Sequence, residues 1–251
     1  MHLWFKIIYK KYKLFGGGVF FVKVMVDIDG VIFDIHSYIE ELIRENNVDP
    51  NYSQRNILTY DINKSLVERL DKVFDEHWKG SPELGSIYKD SIRMLNYISR
   101  DTRDVIFTAF KEPEIFQGCK VDMNAIGIIK NLIAEGAEVV FHTVSLSDEV
   151  KQVKEERIKE LLKGYEGEYE FCSCNNICEK CSDEYDYVIE DCLETLAEFS
   201  KINDKAELLL IAKSYNSPIM YSEFSQLFET RIKQYANTES ALIYVFGKEY
   251  M

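Results

Sequence analysis

The sequence predicts an α/β fold, a Rossmann-like parallel sheet with a helical segment inserted after its first strand. Three observations carry that reading. A β-branched run, Phe21 to Ile28, stops abruptly at Asp-Gly, as a buried strand does when it runs into a loop. Between Tyr52 and about Gln117 the pattern turns helical and aromatic, with no run of buried parallel strands. From Asp122 onward strands and helices alternate, which implies right-handed crossovers and a parallel sheet.

Taken in order, the first strand is followed by a helix over Asp34 to Asn47, where Ile35, Ile39, Leu42 and Ile43 recur at helical spacing before the turn at Asp49-Pro50. The insertion, about eighty residues long as judged from the change of period, holds helices over Ser65 to Trp78 and Ile87 to Ser99. A helix over Asp122 to Ala134 is closed by Gly136 at its C-cap, and a strand over Glu138 to Thr143 follows. An amphipathic helix then runs from Asp148 to Lys163. Strands near Tyr169 to Cys172, Tyr187 to Ile189 and Leu208 to Ile211 complete the alternation, with a helix over Leu193 to Lys201. The expected division is an extension over 1–21, a core over 22–34 and 118–220, an insertion over 35–117, and a C-terminal helical segment over 221–251.

The 251 residues carry a formal net charge of −13. Five lysines and no acid fall in residues 1–23, which leaves the rest of the chain at −18. An acidic surface argues against long nucleic acid as a partner, and any anionic substrate must be met by local cations or a metal ion. Six cysteines are too few for a disulfide scaffold, so the expected compartment is reducing, a cytoplasmic one. The N-terminal apolar stretch is broken by Lys6, Lys10, Lys11, Lys13 and three glycines, too interrupted for a membrane span, and no small-residue cleavage site follows it. A natural start near Val22 would make residues 1–21 an extension.

Ligands of an open parallel sheet bind outside the carboxyl ends of the strands. Those ends are polar here. The first is Asp27-Ile28-Asp29-Gly30, where a spacing of two can aim both carboxylates into one mouth while Gly30 turns the chain away. The second ends in Thr143, and a later one ends in Glu190-Asp191. Lys180 lies ten residues before Glu190. Singly these are a turn, a capping hydroxyl, a solvated acidic loop and a surface lysine. Together they supply a nucleophile, a second carboxylate, a hydroxyl, a cation and metal ligands.

The set resembles the four motifs of the haloacid dehalogenase-like (HAD) phosphohydrolases over roughly Val22 to Asn216. More narrowly it is similar to the 5'(3')-deoxyribonucleotidase family. Lys180 stands that family's ten residues before the acidic pair, Asp186-Tyr187-Val188-Ile189-Glu190-Asp191 follows its pattern, and LLLIAKSYN over 208–216 looks like its last strand with the following Tyr-Asn. The resemblance implies a HAD-like core with the insertion as a cap. It implies that Asp27 attacks phosphorus to give an aspartyl-phosphate, with Asp29 as general acid and then general base. Two carboxylates in one site do not both ionise freely, which suits that division of roles. It further implies Mg²⁺ held by Asp27, the backbone carbonyl of Asp29, and Asp191, with Glu190 in an outer position and with Thr143 and Lys180 on the phosphoryl oxygens. Two positions depart from the family: Val144 replaces a Ser, and Glu190 replaces an Asp. A dehalogenase would not need the acid at Asp29.

Phe74, His77, Trp78 and Tyr60 could stack on a base or form the cap's own core, Phe74 and Trp78 being the candidate pocket residues. Lys154 matches a lysine that the family often carries, but reads here as part of a solvated helix face. His142 reads as a strand residue. Cys172, Cys174, Cys178 and Cys181 form C-x-C-x3-C-x2-C, a spacing that could hold a structural Zn²⁺, although Cys172 should belong to a strand and Lys180 between the last two must reach the phosphate. The sequence thus favours a Mg²⁺-dependent phosphomonoesterase acting on a small molecule, a nucleoside or deoxynucleoside monophosphate. The alternatives are another small phosphoester, a polynucleotide 3' end, or an inactive HAD-like binding module with zinc at the cysteines. Base, sugar and oligomeric state are not encoded in these motifs.

Overall fold

A computed structural model describes residues 22–45, 108–165, 167, 169–181, 183–213, 216 and 230–250. The helices expected over 65–78 and 87–99, with Tyr60, Phe74, His77 and Trp78, lie outside the described residues, as do residues 1–21.

Six strands form one parallel sheet: β1 (Lys23–Val26), β4 (Glu138–Val144), β5 (Tyr169–Cys174), β6 (Tyr187–Glu190), β7 (Glu207–Ile211) and β8 (Ile232–Tyr235). Their order is β5-β4-β1-β6-β7-β8. β1 is therefore central, and the chain builds outward on one side through β4 and β5 before returning to β6 on the other. That reversal of strand order opens a crevice at the carboxyl end of β1.

The strands alternate their side chains between two helical layers, as a sheet buried on both faces must. Val24, Val26, Val139, Phe141, Ile189 and Leu209 face one core, shared with α3 (Met123–Ala134), α4 (Asp148–Leu161) and α7 (Thr238–Tyr250). Met25, Val140, Val188, Leu208 and Leu210 face the other, closed by Leu193, Leu196 and Phe199 of α6 (Leu193–Ile202). Each such side chain, when fully buried, contributes about 1.5–3 kcal/mol.

The local signals act where expected. Asp122 caps α3 by accepting the Ala125 N–H at 2.9 Å, and Ser147 caps α4 by accepting that of Val150 at 3.2 Å. Gly136 has φ 96° beyond α3, a left-handed turn that suits glycine.

A second, two-stranded antiparallel sheet pairs β2 (Phe33–Asp34) with β3 (Lys120–Val121). This ribbon ties together the points where the chain leaves the core, toward α1 (Ile35–Glu45), and where it returns through α2 (Pro113–Gly118). At the other end of the chain the structure corrects the expected helical segment over 221–251. Ile232–Tyr235 is β8, the sixth strand, and the helix α7 over Thr238–Tyr250 follows it. The sequence IKQY carries no β-branched run because an edge strand has one neighbour and is half exposed.

Candidate active site

The crevice is built from the residues just past three strand ends. Asp27 follows β1 and still donates its N–H to Ile189 O at 2.9 Å, so its position is fixed by the sheet. The chain then reverses at Gly30, whose φ of 76° belongs to the left-handed region. Gly30 N–H donates to Phe33 O and Ile32 N–H to Ile28 O, both at 2.9 Å, which locks the loop that carries Asp29. Glu190 ends β6 and Asp191 follows it. Asn216, buried, donates from Nδ2 to Asp191 O at 2.7 Å and to Ile211 O at 2.8 Å, so it pins the turn after β6 to the end of β7.

Asp27, Glu190 and Asp191 each place a carboxylate oxygen within 4.8 Å of the other two, and all three are buried. Lys180 closes this group. It ends α5 (Ile177–Lys180), donates to Glu190 Oε2 at 2.7 Å and forms a short ion pair with Asp27 Oδ1. Glu190 Oε1 also accepts the Cys192 N–H at 3.2 Å. Burial, then repulsion by Glu190, pushes Asp27 up to about 8 against the opposing pull of Lys180. Burial likewise pushes Glu190 up to about 7, again opposed by Lys180. Burial would lower Lys180, but the charges of Asp27 and Glu190 outweigh it and raise the ammonium above its ordinary value.

Three carboxylates against one ammonium leave two negative charges when all are ionised, an imbalance that adds to the burial that raises them. A divalent cation would cancel it, and an all-oxygen donor set suits a hard ion such as Mg²⁺. The donor set therefore fits the metal implied by the motifs. Glu190 lies inside the carboxylate group rather than behind it, its longer side chain reaching both Lys180 and the cluster.

Asp29 stands apart from these ligands. Its Oδ2 accepts from Lys154 Nζ at 2.5 Å and from Thr143 Oγ1 at 3.3 Å, whereas Oδ1 is buried without a hydrogen-bond partner. Thr143 is fully buried, and its hydroxyl also accepts from Lys154 Nζ at 3.0 Å. Lys154 corrects the solvated-face expectation: it is 1% exposed. The signal was present in the sequence, because Val150, Lys154 and Ile158 recur every four residues and form the buried stripe of α4.

A cavity of about 520 Å³ opens on the carboxylates. Asp27, Asp29, Lys180, Glu190 and Asp191 line it together with apolar and aromatic groups that include His36, Phe110, Val144, Ile177 and Leu193, and with the polar Glu194, Thr195 and Asn216. His36 and Phe110 meet edge to face at 6.0 Å, and burial lowers His36 to about 4, so its ring is neutral near pH 7. Neither residue was singled out by the motifs, since nothing in their sequence neighbourhood marks a pocket wall.

The described cysteines do not build a zinc site. Among the described residues the group able to hold a metal is Asp27, Glu190 and Asp191. Cys174 Sγ lies 3.5 Å from Thr143 O and Cys181 Sγ 3.7 Å from Thr195 O, so the two thiols serve different elements. Burial raises Cys174 and pushes Cys172 up to about 11. The side chain of Cys178 lies outside the described residues. His142 is buried on β4 with Nδ1 3.3 Å from Tyr185 Oη, the strand role expected of it.

No protein-family model matches the sequence, and no curated protein matches it. Solved structures that this chain is similar to include two at low identity. One is a dehalogenase solved with an intermediate complex, with 13% identity and a TM-score of 0.45 over 92% of this chain and 97% of that one. The other is a haloacid dehalogenase-like family hydrolase from Xanthomonas campestris, with 12% identity and a TM-score of 0.40 over 90% of this chain and 95% of that one. At that distance neither bears on chemistry, which is argued from the site alone. No described helix is long and apolar enough to cross a membrane.

Proposed function

We propose that this protein is a HAD-type phosphomonoester hydrolase, and within that class a 5'-nucleotidase acting on nucleoside or deoxynucleoside monophosphates. The observation that carries the reading is the division of the crevice into two compartments. Asp27 sits with Lys180 and the acids of β6, while Asp29 sits two residues away with a separate lysine and one oxygen unpartnered. A nucleophile and a proton donor need that separation, because each must be controlled by its own neighbours.

In the first step an Asp27 oxygen bonds to phosphorus as the ester P–O bond breaks, and Asp29 gives a proton to the departing oxygen. In the second step water attacks the aspartyl-phosphate, Asp29 takes the proton from that water, and Asp27 is regenerated with release of phosphate. Lys180 lines the cavity beside Asp27 and offsets charge on the phosphoryl oxygens. Asp27, Glu190 and Asp191 would hold a Mg²⁺ ion, which supplies further neutralisation of phosphoryl charge when bound. The cavity wall at His36 and Phe110 has room for an uncharged leaving group. The narrower nucleotidase reading is supported by the ten-residue spacing of Lys180 and the acidic pair.

The test is phosphate release from a panel of phosphomonoesters with and without Mg²⁺, using nucleoside 5'-monophosphates, sugar phosphates and p-nitrophenyl phosphate. Mg²⁺-dependent turnover that Asp27→Asn abolishes while leaving the fold intact is expected. Equal rates on every ester would remove the nucleotidase assignment, and full activity of the Asp27→Asn variant would remove the mechanism.

A further inference from the structure

Lys154 is a buried cation that the proposed chemistry does not use directly. A lysine ammonium has three N–H donors. Here they face three protein acceptors: Asp29 Oδ2 at 2.5 Å, Val144 O at 2.9 Å and Thr143 Oγ1 at 3.0 Å. The ring of Phe116 covers the same ammonium, with its centroid 4.4 Å away. The side chain is 1% exposed and does not line the cavity. Lys180 contrasts with it, since it lines the cavity and, among the described residues, hydrogen-bonds Asp27 and Glu190.

The roof over Lys154 is itself held in place. Arg157 lies one turn further along α4, with its guanidinium 4.5 Å above the Phe33 ring. It donates to Cys119 O at 3.1 Å and to Phe116 O, both carbonyls at the end of α2. One face of α4 therefore fixes the Phe116 ring through Arg157 and the Asp29 carboxylate through Lys154.

We infer that Lys154 is a positioning residue that holds Asp29 by Oδ2, and that it does not bind the phosphate. The inference rests on the phosphohydrolase reading of the same site. It follows from donor counting. With all three N–H groups engaged by Asp29, Thr143 and Val144, none remains for a phosphoryl oxygen.

The consequence is specific to the leaving group. p-Nitrophenolate departs without being protonated, but an alkoxide needs the proton that Asp29 supplies. The test compares Lys154→Met with the unaltered protein on p-nitrophenyl phosphate and on a nucleoside 5'-monophosphate, with Mg²⁺, and measures inhibition by inorganic phosphate. The expected result is a fall in kcat of about 100-fold or more on the alkyl ester, less than about tenfold on the nitrophenyl ester, and no change in phosphate inhibition. Equal losses on both esters, or a tenfold weaker inhibition by phosphate, overturns the inference while the phosphohydrolase reading stands. An unaltered protein that turns over neither ester removes that reading, and this role with it. Should Lys154→Met fail to fold, Phe116→Leu loosens the ammonium while keeping it. The same selectivity for the alkyl ester is expected there at about three- to tenfold, and its absence is equally decisive.

Discussion

Lys180 Nζ lies 2.7 Å from Glu190 Oε2, in a buried contact that sets one ammonium among the three carboxylates of Asp27, Glu190 and Asp191. Ion pairs of this kind add little stability when formed, but removing one partner leaves uncompensated charge in a poor solvent. Lys180→Met is expected to lower unfolding stability by roughly 3–5 kcal/mol in chelator, with the larger loss at pH 8 than at pH 6, where protonation relieves the acids. Chemical denaturation at the two pH values reads this directly. Phosphatase activity should fall by about 100- to 1,000-fold.

The same cluster gives the unaltered protein a pH dependence of definite sign. Asp27 is raised to about 8 and Glu190 to about 7. A carboxyl raised on folding binds its proton more tightly in the native state, so its contribution is lost as pH rises through the folded value. His36 and His142, each lowered to about 4, work in the opposite sense but only below their unfolded range near 6.5. Between pH 6.5 and 8.5 the carboxylates dominate, and the raised cysteines add a smaller loss of the same sign toward the top of the window. Stability in chelator should drop across that window by on the order of 2 kcal/mol, several degrees of melting temperature. Mg²⁺ should restore more at pH 8.5 than at pH 6.5, and Asp27→Asn should flatten the profile. A melting temperature that rises from pH 6.5 to 8.5 in chelator contradicts the cluster's electrostatics.

Asn216 is legible in sequence only as part of a terminal Tyr-Asn, yet it joins two strand ends. Its Nδ2 donates to Asp191 O and Ile211 O, and its Oδ1 accepts the Lys213 N–H at 2.8 Å. Asn216→Ala leaves these buried backbone groups unpaired, at a cost of about 1–3 kcal/mol. Because the freed turn carries Asp191, weaker Mg²⁺ binding is expected alongside the lower stability. Calorimetric titration with Mg²⁺ alone separates the two: unchanged affinity in a destabilised variant would make Asn216 a structural tie only.

What the sequence revealed follows from which forces are local. Strand ends at Asp27, Thr143 and Glu190, and the C-cap at Gly136, were readable because hydrophobic period and capping chemistry act within a few residues. Lys154 was misplaced on a solvated face because charge usually marks solvent, although its position between Val150 and Ile158 put it on the buried stripe. β8 and the pocket pair His36 and Phe110 were not readable. An edge strand needs no apolar run, and two rings more than seventy residues apart are joined only by tertiary packing. The cysteine spacing gave no hint that Cys174 and Cys181 face different carbonyls, those of Thr143 and Thr195.

The C-terminal helix, expected as an appended segment, is tied to the loop that follows β1. Thr238 opens α7, is 2% exposed, and donates from Oγ1 to Val31 O at 2.7 Å, one residue beyond the Gly30 turn. Val31 O would otherwise be a buried acceptor at the point where the loop bearing Asp27 and Asp29 must stay rigid. Thr238→Val keeps the shape and removes the donor, so a loss of about 1–2 kcal/mol is expected, read as a lower urea midpoint with unchanged slope. Thr238→Ser keeps the donor and should recover most of it. If the tie also positions the loop, kcat falls in the valine variant and returns in the serine variant, with KM little changed. Equal stability of the valine and serine variants would mean that packing of Ala241, Leu242 and Val245, rather than this hydrogen bond, holds α7 against the core.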